Sequence, residues 1–150
     1  MISFSTIVDN LIASSNGLTA VNTTDFGSID KLDANQQNAV FPYVFFRPLT
    51  SAGVPVGDVM VGSRQLNFEM YVMDIPYQTD TDIKDVMSSC EQIGYDILSA
   101  FYDGIYQPTI KVNVSSIVPL FEAFQDRVAG WVFNITIETS AQGLTSCNRV

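Results

Sequence analysis

Cys90 and Cys147 carry the most nucleophilic side chains of this sequence, and no histidine accompanies either of them. Histidine is the usual general base at neutral pH and a common transition-metal ligand, so neither a Cys–His nor a Ser–His–Asp arrangement can form. Cys90 lies on an apolar stripe of helical spacing, which favours a buried structural thiol over a nucleophile. Cys147 lies in a polar segment near Arg149, and we interpret it as a free thiol or a packing residue.

Two pairs of closely spaced carboxylates, Asp30/Asp33 and Asp80/Asp82, are the next candidates for chemistry. Paired carboxylates can share acid–base work or bind calcium. The segment that begins at Asp80 lacks the glycine and the final glutamate of an EF-hand loop. We therefore interpret the first pair as charges of a solvated loop and the second as charges that stabilise a helix N-terminus. Neither a GxxxxGK[ST] nor a GxGxxG phosphate-binding loop occurs in the sequence.

Residues 41–46 contain four aromatic side chains that could in principle stack on nucleic-acid bases. Base-stacking sites also need a positive groove, whereas the only basic residues nearby are Arg47 and Arg64 in a chain of net charge −9. Core packing or a subunit interface explains this cluster better. The sequence therefore predicts a protein that is not an enzyme and that uses neither a cofactor nor a metal.

The composition indicates one folded domain over residues 1–150, of which residues 140–150 form a polar tail. Hydrophobic residues make up 47% of the chain, which argues against intrinsic disorder. Charged residues make up 15%, below the share of about 25% in ordinary domains. A sparsely charged, aromatic-rich surface predicts that neighbouring molecules cover part of this protein.

The net charge of −9 argues against binding to nucleic acid or to anionic lipid. It is compatible with an assembly that has an acidic lumen, through which DNA slides without binding because like charges repel. The N-terminal segment has no basic region before its apolar residues, so it does not resemble a signal peptide. No apolar run reaches the length of about 18 residues that a membrane-spanning helix needs, so we expect no membrane role.

Apolar residues at helical spacing predict two amphipathic helices. The first begins near residue 4, with Ser3 or Ser5 as its N-cap and Gly17 as a left-handed stop. The second is the clearest element of the chain and covers residues 83–101.

Alternating or β-branched patterns predict four main strands, at residues 41–49, 66–73, 110–115 and 131–138. Weaker patterns predict short strands at residues 18–21 and 59–61, a loop with at most one helical turn at 22–38, and a connection at 119–130. The order of elements predicts an α+β fold, a two-layer sandwich with a mostly antiparallel sheet and two amphipathic helices packed on one face.

The strand at residues 41–49 is apolar on both faces. Val44 and Phe46 should pack against the helices, and we expect Tyr43 and Phe45 to meet another subunit. On this interpretation, Tyr43→Asp or Phe45→Asp leaves the helix content intact and blocks assembly.

Residues 41–48, 66–74 and 126–139, with the long helix between the last two, resemble the tail-terminator and tail-completion proteins of long-tailed bacteriophages. Those proteins typically have a hydrophobic-Phe-Pro strand, a strand ending in Asp, a helix, and a closing Asp-x-x-x-Gly-Trp strand near a C-terminal Cys. Asp126, Gly130, Trp131 and Cys147 stand where that pattern places them.

The resemblance implies a virion protein, made in the host cytoplasm, that forms a hexameric ring capping the tail tube and joining it to the neck. The implied partners are further copies of the chain, the tail tube protein and neck or connector proteins, with DNA only passing through the lumen. Two alternatives stay open at this point. One is a head–tail connector, stopper or other neck component of the phage, and the other is a small cytosolic binding module.

The candidate ring contacts are the strand that follows Phe41 and the loop at residues 23–37, because a ring needs two different patches on each subunit. The hairpin at residues 50–64 and the residues after Ser140 are candidates for axial contacts. The predicted partner-interface residues are Tyr43, Phe45, Arg47, Phe26, Ile29, Val54 and Arg64.

Overall fold

The structure, a computed structural model, describes residues 3–35, 39–49, 63–76, 80–104, 110–123 and 128–140. These residues form an α+β fold, as the sequence predicts. The elements follow one another in the order α1 (Phe4–Asn16), β1 (Thr23–Phe26), α2 (Ile29–Asn35), β2 (Tyr43–Pro48), β3 (Ser63–Asp74), α3 (Asp80–Gly104), β4 (Ile110–Ala123) and β5 (Val128–Ser140). None of the helices described combines the length and the apolarity that a membrane span requires.

The strands form one sheet in the order β1-β2-β3-β5-β4. β1 runs parallel to β2, and every other neighbouring pair is antiparallel. β3 and β5 pair along their whole length, from Ser63 opposite Ser140 to Asp74 opposite Ala129. The predicted mostly antiparallel sheet is therefore confirmed, and β1 and β4 are its two edges.

The main hydrophobic core lies between one face of the sheet and the helices α1 and α3. Alternate residues of each strand point to this face, which explains why the apolar positions of β3 and β5 recur with a period of two. Its fully buried members include Ile7, Leu11, Val44, Phe46, Met70, Cys90, Ile97, Phe101, Phe133 and Ile137. The predicted pair of amphipathic helices on one face is therefore confirmed.

A second, smaller core lies on the opposite face of the sheet. Leu32 of α2 is fully buried there. Its other buried members are Tyr43, Phe45, Tyr71, Met73, Val128 and Val132. The sequence predicts at most one helical turn in this region, so α2 and the layer that it adds are a correction to the prediction.

The start of α1 follows the prediction and its end does not. Ser3 is the N-cap, and its Oγ accepts a hydrogen bond from the backbone N–H of Thr6 at 3.2 Å. Gly17 has a φ of −71°, so the predicted left-handed stop is wrong. The N–H of Gly17 instead donates to the carbonyl oxygen of Ala13 at 2.9 Å, which completes the last turn in right-handed geometry.

The first strand lies later than the sequence predicts. Residues 18–21 form a turn rather than a strand, and β1 falls inside the predicted loop. Thr24 of β1 shares a 2.7 Å hydrogen bond between its Oγ1 and the Oγ of Ser15 in α1. Polar side chains of β1 make hydrogen bonds to neighbouring segments. A polar sequence without an apolar alternation is typical of a loop, so the sequence alone does not predict this strand.

β4 continues beyond the predicted strand, through Pro119 to Ala123. The sequence predicts a connection from residue 119 because proline cannot donate a ladder hydrogen bond. β4 is an edge strand, where a proline is tolerated if its nitrogen faces away from the neighbouring strand. A register shift between Val114 and Ser116 also lengthens the strand by one bulged residue.

Several predicted features lie outside the described residues. They are the short strand at residues 59–61, most of the hairpin at 50–64, the tail after Ser140, and the residues Val54, Asp126 and Cys147.

Gly94 allows α3 to approach β5 closely, and this contact gives a testable prediction. A Cβ at Gly94 would lie 2.3 Å from Cζ of Phe133, whose ring is fully buried. Gly94→Ala is expected to lower the free energy of unfolding by about 1–3 kcal/mol through overpacking. That cost opposes the gain of about 1 kcal/mol that alanine normally brings to a helix interior. Urea denaturation measures whether the net change in the free energy of unfolding is a loss or a gain.

The control for Gly94→Ala is the same substitution in a Phe133→Leu background, since leucine lacks the outer ring atoms that clash. We expect the effect of Gly94→Ala to shrink or to become stabilising in that background. Strictly additive effects of the two substitutions would contradict a direct contact between these positions.

Candidate assembly surface

The structure buries the two aromatic residues that the sequence assigns to a subunit interface. Tyr43 and Phe45 are both 0% exposed. The Tyr43 hydroxyl donates to Oδ2 of Asp25 at 2.7 Å, and its ring stacks on that of Phe45 with the centroids 6.3 Å apart. The expectation that these side chains face another subunit is therefore wrong in this conformation, because residues of the same chain cover them.

Arg47 lies at the rim of the second core in a charged cluster with Glu69 and Tyr71. Its Nη1 is 3.5 Å from Oε2 of Glu69, and the Tyr71 hydroxyl donates to the same carboxylate. Burial, followed by the hydrogen bond to Glu69, raises the pKa of Tyr71 to about 12. The hydrogen bond with Tyr71 raises the pKa of Arg47. Arg47 is thus held within its own chain but stays partly exposed, and its contact with a partner stays a prediction.

Phe26 ends β1 and is partly buried against the main core, and Ile29 begins α2. Ile29 is 37% exposed, and Phe4, from the start of α1, is 40% exposed. The ring of Phe4 meets that of Phe26 edge-on at 6.2 Å. Lys31 of α2 is exposed, and its Nζ donates to the carbonyl oxygen of Phe26 at 2.8 Å, with the exposed Asp30 and Asp33 close to it in the same helix. We call Phe4, Phe26, Ile29 and Lys31 the β1 patch.

At the other edge of the sheet, α3 and β4 enclose a surface groove of about 300 Å³. Tyr95 and Tyr102 are its most exposed aromatic residues, at 43% and 58%. The groove is lined by Tyr95, Leu98, Ser99, Tyr102 and Asp103 of α3 and by Val112 and Val114 of β4. We call it the α3–β4 groove.

The strand that borders this groove is itself an edge. β4 has 14 residues and pairs with β5 on one side, and no described strand lies on its other side. The exposed residues of β4 include Lys111, Asn113, Ser115 and Val118. A bulge and an exposed lysine are features that discourage indiscriminate pairing of edge strands. Side chains of the groove are therefore better suited than the β4 backbone to bind a partner.

No model of a known protein family matches this chain, and no curated protein matches it either. The resemblance to the tail-terminator and tail-completion proteins thus stays a proposal. The β1 patch and the α3–β4 groove are the structural observations that bear on function.

Sequence reasoning does not single out Tyr95 and Tyr102, although one signal for them is present. They are seven positions apart, with Ser99 between them, so the three residues lie on one side of α3. They also lie outside the apolar stripe that includes Cys90, Ile97 and Phe101. Aromatic residues repeated off the buried stripe of a helix indicate an exposed contact surface.

Gly130 and Trp131, the two described residues of the closing motif, hold the fold together. A Cβ at Gly130 would lie 1.9 Å from the carbonyl oxygen of Val72 on the neighbouring strand β3. The Nε1 of Trp131 donates to the carbonyl oxygen of Met87 at 2.8 Å, which fixes α3 to β5. These roles are structural, and neither residue belongs to the exposed surfaces.

Cys90 is a buried thiol, as the sequence predicts. It is 0% exposed, and its Sγ is 4.0 Å from the carbonyl oxygen of Ala129. Burial, reinforced by the nearby charge of Asp74, raises the pKa of Cys90 from 9.0 to about 12. The thiolate is therefore strongly disfavoured at neutral pH.

The carboxylate pairs lie on helices. Asp30 and Asp33 are exposed on α2, with Asp30 in its first turn, so their predicted position in a solvated loop is corrected to a helix surface. Asp80 begins α3, and the side chains of Asp80 and Asp82 lie outside the described part. Within the ranges that the structure describes, no group of three or more cysteine, aspartate or glutamate residues could hold a metal ion.

Proposed function

We propose that this chain is a structural protein of a long-tailed phage virion, whose copies form a ring that caps the tail tube and joins it to the neck. The observation that carries the proposal is the α3–β4 groove, in which two exposed tyrosines lie beside β4, the edge strand of the sheet that the described residues form. Tyrosine is enriched in protein–protein interfaces because its ring buries a large area and its hydroxyl stays hydrogen-bonded.

A ring also needs a second surface that differs from the first. The β1 patch supplies an exposed apolar surface at the opposite edge of the same sheet. Two different surfaces at opposite ends of a subunit give a head-to-tail contact, which closes into a ring when the rotation between subunits allows it. The sequence pattern that resembles tail-terminator proteins supports the same assembly.

The charge of the chain suits such a ring. With a net charge of −9, a wall built from several copies repels the phosphates of DNA. DNA then passes through the lumen without binding to it.

Assembly of the purified chain tests the proposal. We expect sedimentation and negative-stain images to show isolated rings, and we expect Tyr102→Asp to yield folded monomers. Tyr102 is exposed, so its replacement leaves the core intact, but loss of a central interface aromatic weakens association by about 30-fold or more. Circular dichroism checks that the variant stays folded.

The matched control is Ser89→Asp, which introduces the same charge at an exposed position of α3 on another side of the helix. This variant should form rings like the unaltered chain. An unaltered chain that stays monomeric at every concentration and never joins tail tubes would overturn the proposal in favour of a small binding module. Monomers that assemble only on a portal would instead indicate a connector.

A further inference from the structure

We draw no further inference here: the strongest candidate, the α3–β4 groove beside the exposed rings of Tyr95 and Tyr102, carries nothing beyond the proposed function because nothing in the structure shows what covers it.

Discussion

Phe45→Asp is expected to abolish folding rather than assembly. Phe45 is 0% exposed, stacks on Tyr43 and meets the ring of Tyr71 edge-on at 6.4 Å. An aspartate at this position would bury a carboxylate without a cationic partner or would have to stay protonated. Either outcome costs several kcal/mol, which is comparable to the total stability of about 5–15 kcal/mol of an ordinary domain.

Far-UV circular dichroism and urea denaturation measure this effect, with two controls. Phe45→Leu keeps an apolar side chain and should lower the free energy of unfolding by only about 1 kcal/mol. Asn113→Asp introduces the same charge on the same face of the sheet at an exposed position and should change little. A Phe45→Asp protein that folds normally and only fails to assemble would restore the interpretation of this residue as an interface residue.

Phe45 also shows where the sequence stops being informative. The consecutive apolar residues at positions 43–46 correctly predict that both faces of β2 are apolar, but they do not reveal what covers the second face. The cover includes α2, a helix of seven residues in a polar segment whose buried apolar residue is Leu32. Such a short helix carries no repeated apolar stripe, so its packing is visible only in the tertiary structure.

Gly130→Ala is the second substitution from which we expect a large effect. The added Cβ would meet the carbonyl oxygen of Val72 at 1.9 Å, and φ at this position is +157°. The obstacle is backbone of the central strand β3, so no side-chain rotation can relieve the clash. We expect the free energy of unfolding to fall by more than about 4 kcal/mol, the range of exceptional single substitutions.

Gly104→Ala provides the comparison for Gly130→Ala. A Cβ at Gly104 meets nothing within 4 Å, and this residue closes α3. Thermal unfolding should therefore show a near-normal transition for Gly104→Ala and a strongly lowered one, or none, for Gly130→Ala. Equal stability of the two variants would contradict the close approach of β5 to β3.

Gly130 illustrates how much of the structure a sequence pattern can predict. The motif that contains Gly130 can be noticed from its resemblance to other closing strands, but the steric reason depends on the register that brings it to Val72. The long elements α3, β3 and β5 follow from periodicity because each repeats its pattern over many residues. The extension of β4 past Pro119 and the α3–β4 groove cannot be predicted from periodicity. The first depends on β4 being an edge strand, and the second depends on α3 lying next to β4.

The position of β5 in the sheet has a consequence for biosynthesis. β5 lies between β3 and β4, although it follows both in the chain. Until residues 128–140 have left the ribosome, β3 lacks the longer of its two neighbouring strands. During the same time α3 lacks Phe133, the aromatic residue that packs against Gly94. The nascent chain therefore exposes apolar surface through most of its translation, and the sheet closes only when this strand is inserted. Chaperones that shield apolar segments should bind the chain during that interval.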